Sequence, residues 1–258
     1  MEGKADRAAC GVAVMAKASA PGRTKTRLVP PLTFAEAAEL NTVFLRDIVR
    51  NLAAARAAGA DLQAYLAFGP PGSESFFTQE VSPEADLIEA WMPGFGDCLF
   101  HALSEMFLRG HAAACVLNAD SPTLPTSILI ELSERLARPG DRAVFGPSED
   151  GGYYVLGLKA PHRRLFEEIA WSTETVAEAT LARAREIGLP VEVLPRWYDI
   201  DDRDCLIRLV HETLGEPADR EDGLQPHPAP ASAAYLRRAF AEGDLADRLG
   251  LAPPMVEA

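Results

Sequence analysis

Short apolar runs alternate along this chain with longer amphipathic stretches, which predicts an α/β fold with a mainly parallel central sheet covered by helices. Cys10–Met15, Leu62–Phe68, Leu87–Trp91, Ala113–Leu117, Ala143–Phe145, Tyr153–Leu158 and Val191–Leu194 read as strands. Thr33 and Glu36 stand at capping-box spacing, opening a long alanine-rich helix that ends near Gly59. Further helices are predicted over Asp97–Arg109 and Thr126–Ala137, from a cap at Ser172 or Thr173 to Gly188, and over Asp201–Leu214.

The pattern changes after Gly215. Residues 216–230 are rich in proline and poor in large apolar groups, so they read as a linker. Residues 231–258 return to helical periodicity, with Tyr235, Leu236, Phe240, Leu245 and Leu249 as apolar contacts. The chain thus divides into a main domain over 1–215, a proline-rich linker over 216–230 and a C-terminal helical extension over 231–258. The extension is too short to form its own core. It packs either on the domain or on a second subunit, which makes it the candidate contact of a homodimer. All the chemical motifs precede the linker, so truncation at Gly215 is expected to leave a soluble core; the alternative is that Tyr235 and Phe240 complete the core and the truncation is insoluble.

A length of 258 residues suits one large α/β domain with an appendage. A formal net charge of -13 argues against a nucleic-acid partner, which needs a broad basic face. It leaves room for small anionic ligands wherever positive charge gathers locally. No apolar run reaches the roughly 18 residues of a membrane span, so no transmembrane segment is expected. The N-terminus is too polar, and its apolar stretch too short, for a secretory signal. Cys10, Cys98, Cys115 and Cys205 are scattered without metal-ligand spacing, the usage of reduced thiols in a cytoplasmic protein.

Against this acidic background Ala16–Leu28 stands out. It carries Lys17, Arg23, Lys25 and Arg27 around the Pro21-Gly22 turn, and no carboxylate lies between Asp6 and Glu36. A basic loop directly after a first strand is where an α/β protein places a polyphosphate. Lysine and arginine supply charge and donors, and Gly22 lets backbone approach the ligand. Lys17 lies closest to the strand end, so Arg23, Lys25 and Arg27 are expected to matter more. The plainer alternative is a solvated basic surface loop.

Three carboxylate clusters follow. Asp120 comes just after the Ala113–Leu117 strand, in Asn118-Ala119-Asp120-Ser121-Pro122, where it can hold Mg²⁺ or Mn²⁺ against phosphate oxygens. An Asx turn or a helix cap explains it equally simply. Glu149 and Asp150 precede Gly151, Gly152, Tyr153 and Tyr154, a charged tight turn beside an aromatic surface, suited to a sugar or polyol or to a plain hairpin. Asp199 and Asp201 share one side if their segment is extended, and that side can complete a metal site opened by Asp120. Asp202 and Asp204 fit an acidic helix start. Trp171, Ser172 and Thr173 either line an acceptor pocket or cap a helix.

Taken together, K-x-x-x-PGRTKTRL from Lys17, then NADSPTL, GPSEDGGYYVLGL, WST and YDIDDRDCL resemble the bacterial GT-A-fold family of nucleotide-diphospho-sugar transferase-like proteins. That family includes proteins assigned as glycosyltransferases, some associated with arsenosugar biosynthesis. It is similar to phospholactate guanylyltransferases and molybdenum-cofactor nucleotidyltransferases. The resemblance spans roughly residues 10–214. It implies a Rossmann-like α/β/α sandwich that binds a nucleotide with a divalent metal. It implies that Lys17, Arg23, Lys25 and Arg27 line the phosphate loop and that Asp120 and Asp201 hold the metal. Glu149 and Asp150 would face the acceptor or sugar, with either one as base. The chain departs from sugar-nucleotide pyrophosphorylases in lacking their glycine-rich first loop, with Ala18–Ala20 in its place. That departure argues against pyrophosphorylase activity.

The leading expectation is a metal-dependent glycosyltransferase taking a nucleotide-sugar donor and a small-molecule acceptor. The alternative is a nucleotidyltransferase that passes a nucleotide from a nucleoside triphosphate to a phosphorylated small molecule. A non-catalytic sugar-nucleotide sensor is the third reading.

Overall fold

The computed structural model describes residues 9–215 and 222–251. Residues 1–8 of the polar N-terminus, linker residues 216–221 and residues 252–258 of the extension lie outside the described residues. The strands are β1 (Cys10–Lys17), β2 (Leu62–Gly69), β3 (Asp86–Glu89), β4 (Ala113–Leu117), β5 (Ala143–Pro147), β6 (Tyr153–Leu158) and β7 (Val191–Val193). They form one sheet in the order β3-β2-β1-β4-β6-β5-β7. All run parallel except β6, which is antiparallel to both β4 and β5. The helices are α1 (Phe34–Ala57), the single turn α2 (Glu74–Phe76), α3 (Phe95–Leu108), α4 (Thr126–Ala137), α5 (Val176–Glu186), α6 (Arg203–Leu214), α7 (Pro230–Glu242) and α8 (Leu245–Leu249).

Strand β1 shows why both faces of the sheet are covered. Val12 and Val14 enter one core, with Leu40 and Phe44 of α1, while the alternate Ala13 enters the other, with Leu99 and Leu103 of α3. The layered α/β/α sandwich implied by the sequence is therefore the observed fold. Among the described residues no helix is long and apolar enough to cross a membrane.

The capping box at the start of α1 forms in full: Glu36 N–H donates to Thr33 Oγ1, and Thr33 N–H donates to the Glu36 carboxylate at 2.7 Å. Helix α3 begins at Phe95, two residues ahead of the expected Asp97, and three further limits differ from expectation. Helix α6 begins at Arg203, because the Asp202 side chain caps it by accepting from Cys205 N–H at 2.8 Å. Helix α5 begins at Val176 rather than after a cap at Ser172 or Thr173. Ser172 is left-handed at φ 65°, and the Thr173 hydroxyl donates to the Ala170 carbonyl instead. The extension is two helices, since Gly243 is extended between them.

Of the two packings open to the extension, the structure has it folded back on this chain. Tyr235, Leu236, Phe240, Leu245 and Leu249 are buried in the core they share with α1 and α6. The fastening is polar as well. Asp47 of α1, with no exposed surface, accepts from Ala231 N–H, Ser232 N–H and the Ser232 hydroxyl at 2.7–2.8 Å. It thereby caps α7, whose own preceding residue, Ala229, offers no side-chain cap. At the far end Arg248 of α8 pairs with Glu36 at 2.6 Å.

Candidate functional site

The chemistry-bearing segments converge at the carboxyl ends of β1 and β4, the position where open α/β sheets receive ligands. Segment 197–202 is drawn there by buried anchors. Trp197 and Tyr198 are fully buried, the Tyr198 carbonyl accepts from the Ser121 hydroxyl at 2.9 Å, and Ile200 N–H donates to the Asp120 carbonyl at 2.9 Å. Ile200 enters the core, and the alternate residues Asp199 and Asp201 face a cavity of about 370 Å³. Asp150 joins them from the β5–β6 turn. One carboxylate oxygen of each of Asp150, Asp199 and Asp201 lies within 4.8 Å of the other two.

That turn depends on Gly151, which is left-handed at φ 91° and lies so close to the Glu174 carbonyl that a Cβ would sit 2.1 Å from its oxygen. Gly152 N–H donates to Asp150 at 2.8 Å and fixes its carboxylate. Glu149, expected beside Asp150, faces away. Its carboxylate meets Arg208 of α6 at 3.1 Å, and it does not line the cavity.

The basic loop lines a second, adjoining cavity of about 280 Å³, with Lys17, Arg23, Lys25 and Arg27 joined by Thr24, Thr26 and Asn41. Asp120, Asp201, Arg27 and Met15 line both cavities and so form the wall between them. Lys25 is unlike its neighbours. Its side chain is 4% exposed, and its ammonium lies 2.6 Å from Asp120, 2.8 Å from the Ile200 carbonyl and 3.7 Å from Asp201. A left-handed backbone at φ 50° belongs to this inward placement. Arg27, mostly exposed, meets Asp201 at 3.2 Å. Gly22 is left-handed at φ 73° in the turn just ahead.

Burial and like charge act on the acidic group. Burial first, and then Asp150, Asp201 and Asp120, push the Asp199 carboxyl up to about 7. Asp201 is also raised, by burial and by Asp120, against the opposing pull of Lys25 and Arg27. A set of hard oxygen donors whose ionised form is disfavoured in isolation is the setting a divalent cation relieves. Asp120, expected as a metal ligand, is held by Lys25, while Asp150 stands with Asp199 and Asp201.

Trp171, Ser172 and Thr173 line the larger cavity, as do Gly152 and Tyr153; Gly151 supports its edge without lining it. Lining residues that sequence reasoning missed include Met15, Phe95, Leu99, Asn118, Ser148 and Glu174. Asn118 and Ser148 lie within the motifs NADSPTL and GPSEDGGYYVLGL, and that is their signal. Asn118 Oδ1 and the Tyr153 hydroxyl are buried there and find no hydrogen-bond partner among the described residues.

Residues 51–173 match the model of the family described as "Uncharacterized protein conserved in bacteria (DUF2064)". No curated protein matches the chain. Among solved structures it is similar to a "putative nucleotide-diphospho-sugar transferase" from Desulfovibrio desulfuricans G20. That match has a TM-score of 0.76 and 23% identity over 91% of this chain and 96% of that one. Looser matches are CMP:2-keto-3-deoxy-manno-octonic acid synthetase complexed with CTP (TM-score 0.47, 10% identity, 78% of this chain and 96% of that one) and Rv0371C of Mycobacterium tuberculosis H37Rv complexed with manganese (TM-score 0.42, 17% identity, 78% and 97%). The Desulfovibrio desulfuricans match establishes the fold: the chain has the Rossmann-like architecture that its sequence motifs resemble.

Proposed function

We propose that this chain is a metal-dependent transferase of the GT-A type that takes a nucleotide-sugar donor and passes the sugar to a small-molecule acceptor. The observation that carries the reading is the shared wall: a basic cavity and a larger acidic cavity meet at Arg27, Asp120 and Asp201. A donor lying across that wall has its diphosphate among Lys17, Arg23 and Arg27 and its sugar in the larger cavity. Lys25 is a positioning residue in this scheme. Its buried ammonium holds Asp120 and Asp201 in place rather than reaching for phosphate.

Asp199 and Asp201 have the oxygen chemistry to hold Mg²⁺ or Mn²⁺, which leaves the more exposed Asp150 free of the cation. When bound, such a cation supplies Lewis acidity toward the departing nucleoside diphosphate. Arg23 and Arg27 share the charge that develops there. The acceptor oxygen bonds to the anomeric carbon as the bond from that carbon to the diphosphate oxygen breaks. Asp150, the exposed carboxylate of the three, takes the acceptor's proton.

Sugar nucleotides and nucleoside triphosphates, each offered with Mg²⁺ or Mn²⁺ and a panel of acceptors, test the reading. Release of free nucleoside diphosphate from a sugar nucleotide is expected. Release of pyrophosphate from a triphosphate would replace glycosyl by nucleotidyl transfer. A thermal-shift screen gives the prior check, since ligand at about 100 times its Kd adds about 2.7 kcal/mol to stability. No shift with any nucleotide, with or without metal, would overturn the proposal.

A further inference from the structure

The larger cavity has walls of opposite character. On the α3 side Met15, Leu99 and Val116 make it apolar, and Phe95 and Trp171 meet edge to face at its rim, 5.3 Å between ring centres. Phe95, which lines the cavity, is 52% exposed. Large apolar groups left in water beside a concave site mark a surface that a ligand covers. The backbone is shaped around this rim. Gly96 lies where a Cβ would come within 3.0 Å of the Trp171 indole, and Ser172, the next residue, is left-handed.

The opposite wall is acidic. Asp120, Asp150, Glu174, Asp199 and Asp201 line the cavity against a single guanidinium, Arg27. The other cations of the basic loop line the neighbouring cavity. A divalent cation and a donor diphosphate bring charges that largely offset each other, so the acidic excess persists when both are present.

We propose that the acceptor is an uncharged hydroxyl compound with an apolar, ring-sized face, and that phosphorylated acceptors are excluded. This rests on the transferase reading above. The apolar face lies against Phe95 and Trp171, and the hydroxyl points to the acidic wall. A phosphorylated acceptor would bring its charge among five carboxylates, where repulsion is stronger than in water and is opposed by Arg27 in the cavity and by the Lys25 ammonium, which is already engaged by Asp120 and Asp201.

The test is a titration of the full chain in Mg²⁺ with three probes: benzyl alcohol, glycerol and 3-phosphoglycerate. Benzyl alcohol is expected to bind at least about tenfold more tightly than the other two, the effect of burying a few apolar carbons. Trp171→Ala should weaken benzyl alcohol about fivefold or more and leave UDP and GDP binding within about twofold. Phe95→Ala, at an exposed position, repeats the test should Trp171→Ala fold poorly. The proposal is overturned if 3-phosphoglycerate binds as tightly as benzyl alcohol, or if neither variant weakens benzyl alcohol. Loss of nucleotide binding alone, with the benzyl alcohol preference intact, strikes the donor half of the transferase reading. Nucleotide binding without that preference strikes the acceptor inference alone.

Discussion

Asp47 lies in the middle of α1, yet its carboxylate terminates a different helix. With no exposed surface, it accepts three hydrogen bonds from Ala231 and Ser232 at the start of α7, and Arg50 stands 3.9 Å away as its nearest cation. Replacing it by Ala removes all three acceptor contacts and leaves the first N–H groups of α7 uncapped. Hydrogen bonds to a charged group are worth about 1.5–3 kcal/mol each. Water reaching the loosened helix end recovers part of this, so the expected loss for Asp47→Ala is about 3–4 kcal/mol, above the 1–2 of an exposed cap. Asp47→Asn keeps one acceptor but turns an amide NH₂ toward the remaining donors, and should cost about 1–2 kcal/mol. For a chain of this size that corresponds to a fall in Tm of about 6–16 °C for Ala and about 2–8 °C for Asn. Urea unfolding reads the free energies directly, and proteolysis around Ala229 should speed up in the same order. A loss below about 1 kcal/mol for Asp47→Ala would refute the assignment, because an exposed cap alone accounts for that much.

Four further outcomes are expected. The Arg248 guanidinium and the capping contacts of Thr33 hold the Glu36 carboxyl at about 2, below its ordinary 4.5, so its stabilisation is complete above pH 4.5 and is lost as pH falls toward 2. Glu36→Gln should therefore lose about 1–2 kcal/mol at neutral pH, screening reducing the full linkage value, and converge on the parent protein below pH 3 in urea titrations. Asp199 has the opposite sign: its carboxyl is pushed up to about 7, so its ionised form burdens the metal-free fold above the ordinary carboxylate range. Asp199→Asn should stabilise the metal-free protein at pH 8 by about 1–2 kcal/mol, seen as a higher Tm, and abolish the shift produced by Mn²⁺. In the basic loop, Arg23→Ala should weaken nucleoside diphosphate about tenfold and nucleoside little, whereas Lys25→Ala should also lower stability, a split readable by calorimetry and thermal melts. Truncation at Gly215 bares the α1 and α6 surfaces that Tyr235, Leu236, Phe240, Leu245 and Leu249 cover, so gel filtration should show aggregated rather than monomeric protein.

The strands and helices of the main domain were legible because each announces itself locally. A five-residue apolar run such as Ala113–Leu117 has one stable fate in a sheet covered on both faces, and Thr33 with Glu36 needs only four residues to form its box. The destination of the extension was not legible for the same reason. Its polar fastening joins residues 184 and 185 positions apart, and an aspartate inside a helix carries no local sign that it caps another.

The site divides along the same line. Residue types and chain order brought the basic loop, Asp120, Asp150, Asp199 and Asp201 to one end of the sheet. Direction was the missing quantity. Glu149 and Asp150 are adjacent, yet Gly152 N–H holds Asp150 at the cavity while Arg208, 59 residues away, holds Glu149 outside it. Lys25 sits among cations of the same type, and its left-handed backbone sends it inward to Asp120 and Ile200. That one reversal changes the chemistry of the loop. A lysine at the surface adds charge for a phosphate, but a buried lysine spends its charge on two aspartates and lowers the cost of holding them together. The acidic wall can therefore persist without a cation and still accept one, because among the described residues Asp150 and Asp199 have no ammonium partner.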